Sequence, residues 1–127
     1  MSKQFEIGKR GEEFVCEYLK NKGYFIVCTN YHSIYGEIDI ISKNDKYILF
    51  VEVKSRRESS FYKGIEAVNK GKRIKIIKTA FEYIASNNID MQLRFDVAEV
   101  SLDSSGTPKR LYYYKNCFGA DECDAFF

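Results

Sequence analysis

Two apolar runs separated by a polar break constrain the fold most, at residues 38–41 and 47–53. The first run places isoleucines around one aspartate, and the second is rich in aromatic and β-branched residues, which favour strands. Asn44 and Asp45 in the break are typical of a tight turn. These features predict an antiparallel hairpin, around which the rest of a sheet must be arranged.

The predicted hairpin brings two carboxylates together. With the turn centred in the polar break, antiparallel pairing places Asp39 opposite a residue within about one position of Glu52, roughly 5 Å away. Side chains alternate along a strand, so Glu52 and Lys54 leave the same face. The sequence therefore predicts two acids and a lysine on one surface.

Acids and a lysine in this arrangement suit the hydrolysis of a phosphodiester. Carboxylate oxygens such as those of Asp39 and Glu52 are the ligands that Mg²⁺ and Mn²⁺ prefer. A bound ion lowers the pKa of its water and neutralises the charge that grows on phosphate. Lys54 would stabilise the transition state or position the attacking water. These three residues form the candidate catalytic centre.

A third acid is expected from the first helix, predicted over residues 8–22. Glu12 lies beside the apolar arc of this helix, nearly in line with Val15 and Leu19, whereas Glu13 lies on the solvated side. An inward carboxylate needs a cation or hydrogen bonds. Glu12 is therefore predicted as a further metal ligand and catalytic residue.

These acids also have ordinary interpretations. Taken singly, Asp39 could be an exposed strand residue, and Glu52 with Lys54 an ion pair of little energetic value. The complete set favours the metal site over these alternatives. Binding a metal does not by itself require hydrolysis, so the two properties are separate hypotheses.

Basic residues are concentrated directly after the candidate site. Residues 54–78 contain nine Lys or Arg and two Glu, whereas the whole chain carries a net charge of only +2. Such a stretch could neutralise phosphates beside the cut. Alternatively it is a solvated helix face, because Ile74 and Ile77 indicate that one side is core. The predicted nucleic-acid contacts are Arg56, Arg57, Lys70, Lys72 and Arg73.

The remaining elements complete an α/β arrangement. Strands are predicted at residues 24–30 and 93–102, a polar loop at 55–60, and a strand at 110–114 that returns from a turn at 104–108. The apolar stripe of the basic stretch predicts a second helix that covers the sheet. The expected fold is a mixed β-sheet flanked by helices.

Several polar residues have a structural interpretation. Arg94 and Asp96 are predicted as a buried ion pair, and the tyrosines at 112–114 as sheet packing. His32 is interpreted as a loop residue, with a phosphate contact as its alternative. Glu37 shares a strand face with Asp39 and is expected to support it.

Composition predicts one small domain over residues 1–127, because 127 residues with 45% hydrophobic content can close a single core. Neither a transmembrane run nor a signal peptide is recognised, so a cytoplasmic protein is expected. The four cysteines form no C-x-x-C pair, which predicts reduced thiols rather than a zinc site.

Taken together, the motifs resemble the bacterial YraN-like family over nearly the whole chain. The segments that carry the resemblance include Gly8-x-x-Gly11-Glu12, Asn30-Tyr31, Gly36-Glu37-Ile38-Asp39, Phe50-Val51-Glu52-Val53-Lys54, Lys72 and Arg94-Phe95-Asp96-Val97. That family is uncharacterised but endonuclease-like, similar in fold to archaeal Holliday junction resolvases and so to the PD-(D/E)XK nuclease superfamily. The resemblance implies a restriction-endonuclease-like fold.

The resemblance also implies residue roles. Glu12 matches the superfamily's helix acid, and Asp39 matches its motif aspartate. Glu52 matches its second acid, and Lys54 matches its lysine. Ile38 replaces the superfamily's proline, which removes no ligand. The implied function is a Mg²⁺- or Mn²⁺-dependent endonuclease acting on DNA, with branched DNA favoured and a homodimer expected by analogy. The alternative is a nucleic-acid-binding or scaffold module that keeps the fold without hydrolysis.

Overall fold

The computed structural model describes residues 3–57 and 68–119, with side chains from residue 6 onward. Helix α1 spans Lys3–Asn21 and is followed by strands β1 at Phe25–His32, β2 at Glu37–Lys43 and β3 at Tyr47–Arg57. Helix α2 spans Lys70–Asn87 and precedes strands β4 at Gln92–Leu102 and β5 at Pro108–Phe118. The strands form one sheet in this order, in which β3 and β4 run parallel and the other neighbours antiparallel. The predicted mixed sheet with flanking helices is confirmed.

The two helices cover opposite faces of the sheet, because alternate residues of a strand point to opposite sides. Ile48 and Phe50 of β3 pack in the cluster that contains α2, whereas Leu49 and Val51 pack in the cluster that contains α1. The middle of the sheet is thus buried on both sides, which explains the near-continuous apolar run of β3. Within the described ranges, neither helix is long and apolar enough to cross a membrane.

The β2–β3 hairpin has the tight turn that the sequence predicts. The side-chain oxygen of Asn44 accepts the backbone N–H groups of Lys46 and Tyr47, at 2.9 and 2.8 Å. The backbone N–H of Asn44 donates to the carbonyl of Tyr47 at 3.0 Å. This turn fixes the register of the hairpin, in which Ile40 lies opposite Val51.

Helix α2 is the crossover that the parallel β3–β4 pair requires. It begins after Asn69, whose side chain accepts the backbone N–H of Lys72 at 2.9 Å. It ends at Asn88, which adopts the left-handed conformation with φ 52°. Because the side chain of Lys72 reaches Glu52, the first turn of α2 lies over the middle of β3.

Strand β3 is longer than the sequence predicts. Residues 55–57, predicted as the start of a polar loop, pair in parallel with β4 as far as Arg57 opposite Leu102. The partner that extends the strand is a distant segment, so its effect is invisible in the local sequence. The rest of the predicted loop, residues 58–60, lies outside the described part of the chain.

Arg94 and Asp96 form the predicted buried ion pair on β4. Nη2 of Arg94 lies 2.9 Å from Oδ2 of Asp96, and the hydroxyl of Tyr113 on β5 donates to the same oxygen at 2.6 Å. The ring of Tyr113 also lies 5.2 Å from that of Tyr18 on α1. The middle tyrosine of the β5 run therefore packs in the sheet as predicted, and the network joins β4 to β5.

The cysteines agree with the predicted thiol state where they are described. Cys16, Cys28 and Cys117 are free thiols. Burial raises the pKa of each of these three thiols, so they carry little thiolate at neutral pH. Cys123 lies outside the described residues.

Candidate metal centre

Asp39 of β2 and Glu52 of β3 face one another across the hairpin. Ile40 lies opposite Val51, so the next pair outward brings Asp39 opposite Glu52. Oδ2 of Asp39 accepts the backbone N–H of Val53 at 2.8 Å, which holds the two strands together at this point. The side chain of Glu52 is only 5% exposed. Two carboxylates are therefore held close together in a largely buried place, at the register that the turn predicts.

The surroundings of Asp39 disfavour its ionised form. Burial, and then the neighbouring charge of Glu52, raise the pKa of Asp39 to about 8, although the N–H of Val53 opposes the shift. A cation placed between the two carboxylates would restore the ionised form of Asp39. The raised pKa therefore marks a place that suits a bound cation.

Two lysine ammonium groups converge on Oε1 of Glu52. Lys72 lies 2.7 Å from this oxygen and Lys54 lies 3.6 Å from it. Burial, and then the nearby ammonium group of Lys72, lower the pKa of Lys54. Burial also acts to lower the pKa of Lys72, but the carboxylate of Glu52 outweighs it and the net shift is upward. Lys72 is therefore the charged counter-ion of Glu52, and Lys54 loses its proton more readily.

Glu12 approaches the acid pair from α1. Both of its oxygens accept the side-chain amide of Asn30, at 3.1 and 3.2 Å, and Asn30 adopts a left-handed backbone with φ 53°. Burial raises the pKa of Glu12 and outweighs the hydrogen bond from Asn30. A cavity of about 420 Å³ is bordered by Glu12, Asp39, Glu52 and Lys54. The four residues predicted as catalytic therefore surround one cavity.

Gly11 allows α1 to lie close to β3 beside this cavity. A Cβ atom at Gly11 would stand 1.8 Å from Oγ of Ser55 and 3.1 Å from its Cβ, so the Ser55 side chain would have to rotate and the contact would still be tight. By contrast, a Cβ atom at Gly8 would have no neighbour within 4 Å. The close approach at Gly11 brings the next residue, Glu12, to the acid pair.

The acid pair is also reached from the side of α2. A second cavity, of about 200 Å³, is bordered by Asp39, Glu52, Glu37, Lys72 and Lys75. Glu37 therefore lies where it was expected, next to the two acids. Lys75 also borders this cavity and is exposed; it was not named among the predicted residues, although its spacing of one helical turn from Lys72 is a sequence signal.

The five residues predicted to contact nucleic acid have different surroundings. Lys70 alone among them is exposed, at the start of α2, whereas Lys72 is turned towards Glu52. The three arginines contact protein groups: Arg56 lies 3.9 Å from Glu99, Arg57 donates to the carbonyl of Ser104 at 3.0 Å, and Arg73 donates to the carbonyl of Val68 at 2.8 Å. Their contact with nucleic acid stays a prediction.

Whether a divalent ion fits this site depends on the side-chain oxygen atoms that could bind it. Among residues 3–57 and 68–119, no three His, Cys, Asp or Glu side chains lie close enough to hold one ion as they stand. Asp39 and Glu52 nevertheless supply paired, buried carboxylate oxygens, which are the ligands that Mg²⁺ and Mn²⁺ take. Glu12 is held by Asn30 and would have to turn to become a third ligand. The chemistry of the acid pair therefore fits the ion.

A five-stranded mixed sheet with a helix on each face is a restriction-endonuclease-like fold. Residues 11–100 match the sequence profile described as uncharacterised protein family UPF0102, and the chain belongs to that family. This membership confirms the resemblance to the YraN-like proteins.

Relatives in several bacteria have similar lengths. The UPF0102 protein of Alkaliphilus metalliredigens is 43% identical over 113 residues, which cover 88% of this chain and 96% of the relative. That of Clostridium acetobutylicum is 45% identical over 112 residues, or 87% and 92% of the two chains. That of Dictyoglomus turgidum is 36% identical over 114 residues, or 89% and 97%. None of these names carries an activity, so the function has to be argued from the site.

Proposed function

We propose that this protein is a Mg²⁺- or Mn²⁺-dependent endonuclease that hydrolyses phosphodiester bonds of DNA in the cytoplasm. The observation that carries the proposal is the buried pair of Asp39 and Glu52, with Lys54 and Glu12 bordering the same cavity. Branched DNA as the preferred substrate, and a homodimer as the active form, rest on the resemblance to junction resolvases.

Asp39 and Glu52 would hold the ion, and Glu12 would complete its carboxylate ligands. When bound, such an ion activates a water molecule for attack and neutralises negative charge on the phosphate. The protein's own contribution is a fixed, largely buried pair of carboxylates, because the N–H of Val53 holds Asp39 and the sheet buries Glu52. Ligands that are fixed in advance need little reorganisation during the reaction.

Lys54 would act on the phosphate and the attacking water. Its ammonium group lies 3.6 Å from Oε1 of Glu52 and borders the cavity of the acids. An ammonium group there can donate hydrogen bonds to a non-bridging phosphate oxygen or to the water. The lowered pKa of Lys54 also makes it the more suitable of the two lysines to exchange a proton.

Lys72 would leave Glu52 and contact a phosphate of the substrate when the ion binds. Its ammonium group neutralises Glu52 at 2.7 Å. An ion bound to Glu52 would repel the ammonium group, which could then contact a phosphate of the substrate. The exposed Lys70 and Lys75 on the same helix would add sequence-independent contacts to the DNA backbone.

A second candidate function is a nucleic-acid-binding module that retains the nuclease fold without hydrolysis. The observation that favours it is that Lys72 already compensates Glu52, while three acidic ligands do not converge within the described part of the chain. Such a protein would bind DNA with no requirement for a divalent ion. The two functions therefore differ in their response to EDTA and to the loss of one carboxylate.

The deciding experiment is a cleavage assay on labelled four-way junction, flap, linear duplex and single-stranded DNA, with Mn²⁺, Mg²⁺ or EDTA. Wild type is compared with Glu52→Gln, and with Glu13→Gln as a control on the exposed side of α1. The endonuclease predicts cleavage by wild type and the control, stopped by EDTA and reduced about 100-fold or more in Glu52→Gln. Retention of DNA by all three proteins without any cleavage would support the binding module.

A further inference from the structure

The turn between β1 and β2 holds a large apolar side chain in solvent. This turn, residues 33–36, is called the β1–β2 tip below. Within the described part of the chain, four large hydrophobic residues are exposed, and Ile34 at the tip is the most exposed of them at 92%. Its neighbour Tyr35 is 44% exposed. Single exposed apolar residues are common, so the position and rigidity of the tip decide whether it has a function.

The tip is a fixed structure. The backbone N–H of Ser33 donates to the carbonyl of Gly36 at 2.9 Å, and that of Tyr35 donates to Oγ of Ser33 at 3.0 Å. The hydroxyl groups of Ser33 and Thr79 on α2 lie 3.4 Å apart. A Cβ atom at Gly36 would stand 3.3 Å from Cβ of Lys75, so the tip packs directly on α2. Ile34 is therefore presented to solvent by an anchored turn.

The tip also lies beside the acid pair. Gly36 and Glu37 border the α2-side cavity together with Asp39 and Glu52. Ile34 and Asp39 are five positions apart in the chain, which places their Cα atoms at most about 18 Å apart. That span corresponds to about five stacked base steps of 3.4 Å. A DNA strand held at the acid pair would therefore reach the tip.

The charges around the tip suit a polyanion. Nζ of Lys78 lies 5.8 Å from the ring centre of Tyr35, and Lys75, packed against Gly36, is exposed. Lys72 borders the adjoining cavity. Two lysines thus lie beside the tip, although Glu37 also borders the adjoining cavity. An apolar side chain with lysines on neighbouring residues matches a base step flanked by phosphates, whereas an apolar protein partner would leave these charges to be desolvated.

We propose that the β1–β2 tip recognises the branch point of branched DNA, where base stacking is interrupted. Ile34 enters the open base step, and Tyr35 stacks on the exposed base, while Lys75 and Lys78 contact the flanking phosphates. The tip would thereby select substrates whose stacking is already interrupted within a few nucleotides of the cut. This inference rests on the DNA substrate of the proposed function.

The test measures base unstacking without cleavage. The full-length protein is added in EDTA to a four-way junction and to a linear duplex that carry 2-aminopurine, at the branch point in the junction. The variant is Ile34→Ser, which alters only an exposed side chain. The matched control is Phe25→Ser, because Phe25 is 64% exposed and lies opposite Lys43, at the far end of the β1–β2 pair.

Wild type and Phe25→Ser are expected to increase 2-aminopurine fluorescence at the branch point and to prefer the junction over the duplex. Ile34→Ser should lose the increase and about fivefold or more of the preference, the amount typical of one stacked base. An unchanged fluorescence increase and preference in Ile34→Ser would overturn the inference. The inference would also be overturned if wild type were a dimer, Ile34→Ser were a monomer, and the two proteins gave the same fluorescence. The tip would then contact a second copy of the chain rather than DNA.

The cleavage assay separates this inference from the proposed function. If Ile34→Ser cuts junction and duplex in the wild-type ratio, the inference fails and the endonuclease stands. If wild type cuts nothing but unstacks the branch point in an Ile34-dependent way, the inference stands and hydrolysis fails. If wild type binds no DNA, both fail.

Discussion

Nζ of Lys72, in the first turn of α2, lies 2.7 Å from Oε1 of Glu52, in the buried middle of β3. The ammonium group places a positive charge beside the acid pair. An ion bound as proposed would compete with Lys72 for the same carboxylate oxygen. Such competition would link metal binding, stability and pH at the site.

Replacing Lys72 should make the protein depend on the ion for stability. In EDTA, Lys72→Met leaves Glu52 without its closest cation, and we expect a loss of about 1–3 kcal/mol in the free energy of unfolding. Mn²⁺ should stabilise Lys72→Met more than wild type, because the competitor is gone. Urea denaturation with and without Mn²⁺ measures both effects. Equal stabilisation of the two proteins by Mn²⁺ would contradict the competition.

The pH dependence of stability should reflect Asp39. Its pKa is raised from 3.8 to about 8 on folding, so the folded state binds more protons than the unfolded state between these values. In EDTA, this contribution to stability is fully present below about pH 4 and is lost as the pH rises through 8. Asp39→Asn should flatten that decline, as measured by urea denaturation at several pH values. If the stability of Asp39→Asn declined with pH as steeply as that of wild type, Asp39 would not be the group responsible.

Asn30 should act on metal binding by holding Glu12. Asn30→Gly keeps the left-handed backbone, which glycine adopts freely, and removes both hydrogen bonds to Glu12. Because Glu12 has to leave Asn30 to reach the ion, we expect Mn²⁺ affinity to rise about fivefold in Asn30→Gly. Asn88→Gly is the control, because Asn88 has a similar φ of 52° at the far end of α2. Calorimetric titration with Mn²⁺ measures the affinity of both variants. Equal affinities of Asn30→Gly and Asn88→Gly would refute a role of Asn30 in metal binding.

The two α1 glycines should respond differently to alanine. In Gly11→Ala the new Cβ would meet Oγ of Ser55 at 1.8 Å and Cβ of Ser55 at 3.1 Å, so the Ser55 side chain must rotate and α1 must shift by a few tenths of an ångström beside Glu12. We expect a loss of about 1–3 kcal/mol in stability together with lower activity. Gly8→Ala meets nothing within 4 Å and should be neutral or stabilising. Chemical denaturation measures the stability of the two variants. Equal stabilities would contradict the close approach of α1 to β3 at Gly11.

The sequence predicts the part of the site that depends on local structure. The turn at Asn44 and the alternation of β3 are local, so the convergence of Asp39, Glu52 and Lys54 follows from them. The inward position of Glu12 follows from helical periodicity in the same way.

Contacts between distant segments were not predictable. The pairing of Lys72 with Glu52 depends on how α2 crosses back over β3, and the bond from Asn30 to Glu12 depends on the packing of α1 on β1. The extension of β3 through Arg57 depends on its parallel partner β4. In each case the deciding partner lies many residues away, where periodicity and turn signals carry no information.

The most direct test of the metal centre is to measure Mn²⁺ binding and junction cleavage in the same samples of wild type and Glu52→Gln. Free Mn²⁺ is followed by electron paramagnetic resonance as the metal is titrated into full-length protein with a labelled four-way junction. We expect cleavage by wild type to rise with the occupancy of one Mn²⁺ site, and Glu52→Gln to lose both Mn²⁺ binding and cleavage. Cleavage that persists in Glu52→Gln after Mn²⁺ binding is lost, or Mn²⁺ binding equal to wild type, would contradict it.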